Sequence, residues 1–268
     1  MLEPGAGKTK KAYIWAWARS LHDPHPGVIY EFCLGRGAQY PVAFLGGKGP
    51  PTPEPAWNGT LITDQYAGYN TVLDTKFYPQ RKAAACAAHA RRYFEELSRG
   101  GSSDSAVATE AMRRWAQIYH AEGAFAEMHE SQRRLSRQQL SKPLWDEFEV
   151  WLKLQRTQVL DGTKIAEAID YSLKAWKALT LHLDDGAVAI DNNLIERQIK
   201  PWKLGAKNWL FVGSELAGQR AAVVMSLVQS AKLNGLEPWA YLRDVLARIH
   251  SHPSHRLEEL LPHRWRPD

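Results

Sequence analysis

With 268 residues, 44% hydrophobic content and 24% charged content, the chain is typical of a soluble globular protein with room for one large domain or two modest ones. Lys and Arg number 34 against 29 Asp and Glu, a net charge of +5 that favours an anionic partner. Two cysteines, Cys33 and Cys86, exclude a disulfide framework and fit a reducing, cytoplasmic setting. No apolar run of about 18 residues offers a membrane span, and Met1 to Gly5 lack the order of a signal peptide.

Residues 1–11 are rich in Gly and Lys and are expected to be loose. Tyr13 to Ala18 and Val28 to Phe32 read as strands, and the Pro/Gly turn from His22 to Gly27 predicts an antiparallel hairpin. A Gly/Pro-rich passage over 46–55 precedes a short apolar strand ending at Asp64. Ala83 to Cys86 reads as one more short strand, leading into a helix from about His89 to Leu97. Residues 98–105 have linker composition, and from there to about 183 the spacing is helical, with a single helix expected from Thr163 to His182. A helix marked by Asp191 at its start should end or kink near Lys200, because Pro201 has no amide proton. Lys207 to Gly213 reads as extended or turn-like. A helix from Glu215 to Asn234, apolar on most faces, should be buried. Asn234-Gly235 then stops it, and Pro238 opens the last helix. This order predicts an α/β (α+β) fold with a helical insertion. Its parts are 1–99, a helical insertion at 100–186, 187–235 with the Glu196 helix, and a C-terminal helical segment at 236–268.

Two carboxylates stand in positions suited to metal chemistry. Asp64 ends a strand and Glu196 lies near a helix start, and phosphodiester cleavage by two metals draws on converging carboxylates because Mg²⁺ takes hard oxygen ligands. Each has an ordinary reading beside this one: Asp64 as a cap, Glu196 as a surface pair with Lys200. Cys86-x-x-His89 lacks a second ligand pair for zinc. Either His89 lies near carboxylates or DNA, with Arg91 and Arg92 on phosphates, or the segment is a buried Cys followed by a basic surface turn. Arg197, Lys200, Lys203 and Lys207 are natural phosphate contacts, and Trp202 and Trp209 are either stacking platforms or core. For Arg113-Arg114 and Arg133-Arg134-Arg137, phosphate contacts and solvated helix faces stay open. The two helices around Asn234-Gly235 have the outline of a helix-turn-helix, but their apolar content favours core.

Several strings, in order, resemble the bacterial insertion-sequence-66-type transposases. They are Thr63-Asp64-Gln65-Tyr66-Ala67-Gly68-Tyr69, Cys86-Ala87-Ala88-His89-Ala90-Arg91-Arg92-Tyr93-Phe94 and Ile190-Asp191-Asn192-Asn193-Leu194-Ile195-Glu196-Arg197. Lys207 to Ser214 and Ala231 to Gly235 with Tyr241-Leu242 complete the set, so the resemblance covers nearly the whole chain. It implies a ribonuclease-H-like catalytic core of the Asp-Asp-Glu type, with Mg²⁺ (or Mn²⁺) and DNA cleavage and strand transfer at element ends. Asp64 matches the second catalytic Asp and Glu196 the catalytic Glu. Implied partners are element-end and target DNA, with self-association or accessory transposition proteins, and no membrane.

The departure is at the front. The family's first catalytic Asp lies on a strand upstream of a Gly-Lys-Thr-Lys segment, and here that segment is Gly7-Lys8-Thr9-Lys10. The first core strand and its Asp are therefore expected to be missing, and Asp23, in a Pro-rich turn, is better explained by turn chemistry. The alternative function is a catalytically incomplete remnant that binds DNA or full-length transposase as a competitor. A missing first strand also exposes its neighbour's edge, which predicts poor solubility or pairing with another chain.

Overall fold

The hairpin forms where its turn chemistry and aromatic strands predict it. The computed structural model describes residues 1, 5, 7–46, 57–100 and 103–267. In it β1 (Tyr13–Ala18) and β2 (Val28–Cys33) pair antiparallel, with Ala16 opposite Tyr30. Asp23 serves the turn between them, its Oδ1 accepting the His25 amide at 2.8 Å. A second small sheet pairs β3 (Thr60–Thr63) parallel to β4 (Lys82–Ala85), with Thr63 beside Ala85. The remaining elements are helical, so the fold is mixed α/β and dominated by helix. Met1–Tyr40 with Asn193–Asp268 form one compact unit and Pro41–Asn192 another. The expectation for residues 1–11 falls partly, and that for 46–55 almost wholly, outside the described residues.

A short helix that the sequence did not suggest, α1 (Gln39–Leu45), crosses the first boundary with Pro41 inside it. In the Pro41–Asn192 unit, α2 (Ala87–Ser98) and α3 (Ser103–Ala124) pack together; the linker expected over 98–105 gives way to helix at both ends and otherwise lies partly outside the described residues. α4 (Glu130–Ser136) passes through one π-helical stretch, Arg137–Ser141, into α5 (Lys142–Arg156). The single helix expected from Thr163 to His182 is instead α6 (Lys164–Lys174), α7 (Trp176–Leu179) and a 3₁₀ turn at Leu181–Leu183. The apolar spacing survives these breaks because the core follows it: Ile165, Ile169 and Leu179 join Phe94, Ile118 and Leu152 around Trp115, Trp145 and Phe148. Trp115 meets Trp145 and Phe148 edge-on at 5.4 and 5.2 Å between ring centres, an arrangement the ring quadrupoles favour.

Neither phosphate contacts nor solvated faces describe Arg133 and Arg137, because both are buried. Arg133 donates to the carbonyls of Phe125, Ala126, Met128 and Gly186. Arg137 is fully enclosed: it pairs with Glu122 at 2.8 Å and donates to the carbonyls of His182, Asp185 and Val188. Five fixed donors suit a guanidinium to tying irregular chain back onto helices, and buried charge of this kind is stable only when fully partnered. Beside it, burial and then the Arg137 charge push the His182 imidazole down from 6.5 to about 3. Between those values the unfolded chain binds a proton that the folded chain refuses. Folding stability should therefore fall as pH drops from 6.5 towards 3, by up to about 1.4 kcal/mol per pH unit from this group. His182→Gln should remove that part of the slope in urea unfolding measured across the window.

In the unit of Met1–Tyr40 and Asn193–Asp268, the hairpin carries α8 (Asn193–Trp209), α9 (Glu215–Leu233) and α10 (Pro238–Arg248). α9 lies along the outer edge of β2. Ser230 Oγ accepts the Val28 amide at 3.0 Å and donates to the Val28 carbonyl at 2.9 Å. Ser226 Oγ accepts the Tyr30 amide at 2.8 Å, and Asn234 Nδ2 donates to the Pro26 carbonyl at 2.8 Å. Gly218 continues the same row, where a Cβ would stand 2.5 Å from the Phe32 ring. Four helical residues rise about 6 Å and two strand residues about 6.6 Å, so a side chain every fourth position matches every second residue of β2. This close approach admits only small or hydroxyl-bearing residues. It corrects the expectation of a buried apolar helix, because the bulky Leu216, Val223 and Val224 are turned outward and exposed. α10 is partnered on one side only, with Tyr241 and Val245 packed against Ala231, Leu260 and Trp265 while Trp239 and Leu246 are exposed. Ser230→Ala should leave the Val28 amide unpaired and cost about 1–3 kcal/mol in chemical denaturation, with faster amide exchange at Val28 as the local signature.

Candidate nucleic-acid interface and carboxylate positions

Asp64 follows directly on β3, where buried Thr63 ends the parallel ladder by accepting the Cys86 amide on its carbonyl at 3.0 Å. The chain then turns sharply. Asp64 Oδ1 accepts the Tyr66 amide at 3.0 Å, Thr63 Oγ1 accepts the Gln65 amide at 3.1 Å, and Gln65 takes a left-handed φ of 65°. An exposed carboxylate is thus held on an Asx turn at a strand end, with one oxygen committed to the backbone. Burial first, and then the Asp64 charge, push the nearby Tyr69 hydroxyl up to about 12.

The Ile190–Asn192 segment is fastened to the start of α2. Its Ile190 carbonyl accepts the Ala87 amide at 3.1 Å, and the Asn192 amide donates to Cys86 Sγ at 3.4 Å. Burial pushes the Cys86 thiol up to about 11, so this cysteine is an inert packing group and a weak acceptor. Asp191 Oδ2 accepts the Tyr119 hydroxyl at 3.0 Å, and α8 begins only at Asn193, so Asp191 stands outside the helix it was expected to open. Burial, followed by the Asp191 charge, drives the Tyr119 hydroxyl far above its usual range. On α2 itself Ala87, Ala90 and Phe94 face the core, His89 is half-buried, and Arg91 pairs with Glu95 at 3.3 Å. Arg92 is exposed on the same helix.

Glu196 lies in the first turn of α8, in the other compact unit. The helix does not stop at Pro201; it runs on through Trp209, which also corrects the extended reading of Lys207 to Trp209. A proline inside a helix costs about 3 kcal/mol, and packing offsets it here. Trp202 is buried with Val28, Tyr30 and Ala222, Ile195 packs on the same cluster, and the Tyr30 hydroxyl donates to the Gln198 carbonyl at 2.6 Å. Trp202 is therefore core, meeting Tyr30 edge-on at 5.6 Å. Trp209 is 53% exposed, and it lies across Gly205, where a Cβ would come within 2.5 Å of its ring.

Turned by one residue from the apolar row is a charged one. Glu196, Lys200, Lys203 and Lys207 follow the spacing i, i+4, i+7, i+11, with Arg197 alongside. Arg197, Lys200, Lys203 and Lys207 are exposed, and no described residue makes an ion pair or hydrogen bond with any of the four side chains. The surface pair between Lys200 and Glu196 does not form. By contrast, Arg91, Arg99, Arg113 and Arg114 all have a glutamate at hand. Among the described residues, no group of three or more His, Cys, Asp or Glu is placed to hold a metal ion. No described helix is long and apolar enough to cross a membrane.

A family model described as Transposase IS66 family matches residues 1–220, and one described as IS66 C-terminal element matches residues 226–263. The uncharacterized protein y4hP of Sinorhizobium fredii is 37% identical over 253 residues, covering 90% of this chain and 44% of its own length. A second from that organism, y4jD, is 34% identical over 277 residues, covering 100% of this chain and 52% of its own length. The chain thus spans about half the length of the curated relatives it matches. No solved structure matches it.

Proposed function

The chain belongs to the IS66 transposase family, and from that premise we propose that it acts in DNA transposition by holding DNA phosphates on the charged face of α8. The observation that carries this reading is the set of four exposed cations, Arg197, Lys200, Lys203 and Lys207, that no described residue neutralises. Lysines on one helix face act on a phosphate backbone as point charges, and releasing its counterions supplies sequence-independent affinity. His89, Arg91 and Arg92 extend the proposed DNA-contacting set on α2, although Arg91 must first leave Glu95. We further propose a ribonuclease-H-like core in which Asp64 and Glu196 serve as ligands for Mg²⁺ (or Mn²⁺) in cleavage and strand transfer at element ends. Both are hard oxygen donors of the type Mg²⁺ takes. When bound, such an ion activates a water or 3′-hydroxyl and stabilises the leaving oxygen. Two carboxylates fall short of the full ligand set that such an ion takes.

A second reading follows from that shortfall: DNA binding without cleavage, with the chain competing against full-length transposase. One set of measurements separates the two. Binding to duplex DNA should weaken with salt, and replacing Lys200, Lys203 and Lys207 together by Ala should lower the slope of log K against log salt by about 3. An unchanged slope would remove α8 from the interface. Incubation of element-end DNA with Mg²⁺ or Mn²⁺ should give nicks that Asp64→Ala and Glu196→Ala each abolish. Binding that persists with no nicks at any metal concentration would select the competitor reading.

A further inference from the structure

The turn that carries Asp64 is held by more than its own backbone. Gln65 is one of two non-glycine residues, among those described, whose φ lies in the left-handed region. A long side chain is disfavoured there, because its Cβ crowds the carbonyl that follows, and such a residue persists only where its surroundings hold it. The bonds to Thr63 Oγ1 and Asp64 Oδ1 are local ones. A further hold comes from Tyr171 on α6, 107 residues away in sequence. Its hydroxyl donates to the Asp64 carbonyl at 3.5 Å and accepts a hydrogen bond from the Gln65 side chain. Tyr171 is itself fixed. Its ring meets Tyr93 of α2 at 4.7 Å between ring centres, and its helix turns Ile165, Ala168, Ile169 and Ser172 into the core. Burial pushes the hydroxyl up to about 12, so it remains a donor throughout the neutral range. All of these residues belong to the Pro41–Asn192 unit.

We propose that Tyr171 is a positioning residue for Asp64: its hydroxyl braces the Asp64–Gln65 turn, so that the carboxylate leaves the end of β3 in one direction. Asp64 Oδ1 is committed to the Tyr66 amide, and no described residue bonds its second oxygen. Where that oxygen points is therefore set by the turn, and a direction fixed beforehand leaves less freedom to be lost on binding. The ordinary task of a tyrosine here is to cover the core with its ring, and the ring does so against Tyr93. That task does not need the hydroxyl, whose two partners both lie in the turn. The consequence for function rests on the proposed role of Asp64 as a ligand for Mg²⁺ (or Mn²⁺), while the brace itself is testable without metal.

The test compares Tyr171→Phe with the wild-type 268-residue chain. Without metal, amide exchange at Gln65 and Tyr66 should quicken by roughly three- to tenfold, as the loss of one hydrogen-bonding hydroxyl implies. Exchange at Cys86, whose amide donates to the Thr63 carbonyl, and the melting temperature should not change. Gln65→Ala should quicken Tyr66 exchange in the wild-type background and add nothing to Tyr171→Phe, because the two changes remove one shared contact. Mn²⁺ titration, read as paramagnetic broadening of the Tyr66 amide, should need several-fold more metal in Tyr171→Phe and give no broadening in Asp64→Ala. Unchanged exchange at both amides, or additive effects of the two substitutions, would overturn the brace. Altered exchange with equal Mn²⁺ affinity would overturn its effect on the carboxylate. A Tyr66 amide that stays sharp with Mn²⁺ in the wild type would instead remove Asp64 from the metal reading, and the exchange rates would still decide the brace.

Discussion

The Met1–Tyr40 and Asn193–Asp268 unit depends on how the outer edge of β2 is satisfied. A two-stranded hairpin is marginal alone, and its exposed amides and carbonyls are costly to bury unpaired. α9 resolves both difficulties with one row of residues at every fourth position: Gly218, Ala222, Ser226, Ser230 and Asn234. The glycine and alanine bring the helix close, and the serines and asparagine replace the hydrogen bonds of a third strand. Because the helix is held by its small face, its bulky apolar residues are displaced outward. The same closeness positions Ala222 beside Tyr30 and Trp202 and so fixes where α8 can lie.

α8 shows how one helix separates a structural task from an electrostatic one. Ile195 and Trp202 anchor it to the hairpin, and the Tyr30 hydroxyl donates to the Gln198 carbonyl just before Pro201. A helix fixed in this way can carry unneutralised cations on an adjacent row, since packing rather than ion pairing stabilises it. The surface pairs elsewhere, such as Arg113 with Glu110 or Lys153 with Glu149, stand in water and add little to the fold. Their absence from Lys200, Lys203 and Lys207 therefore costs the fold little and leaves those charges available to a polyanion.

Much of the element order was legible, because turn residues and apolar spacing act locally. His22 to Gly27 announced the hairpin, β3 ended at Thr63, one residue before the Asp64 expected to end it, and Asn234-Gly235 closed α9. What was not legible depends on partners distant in sequence. Pro201 reads as a helix end or kink, and that the helix continues past it follows only once Tyr30 and Trp202 are known to hold both sides of it. Arg133 and Arg137 read as surface charge, and only the fold shows the carbonyls of residues 182–188 converging on them. The Ser226-x-x-x-Ser230-x-x-x-Asn234 row was passed over in a helix read as apolar on most faces, because nothing local says that a strand edge lies against it.

The candidate site divides along the same line. Asp64 was readable because a strand end and an Asx turn are local features, and Glu196 because it opens a helix. The contacts among Asp191, Cys86, Asn192 and Tyr119 were not readable, since these residues meet only through folding. This cluster constrains the chemistry. The Cys86 thiol and Tyr119 hydroxyl are held protonated by burial, so neither supplies a nucleophile or base near neutral pH. Within the Pro41–Asn192 unit, the Ile190–Asn192 backbone is pinned to the start of α2 at two points. A segment tied down at two points this close together has little conformational freedom left, because each further residue of slack would add backbone states that folding must remove.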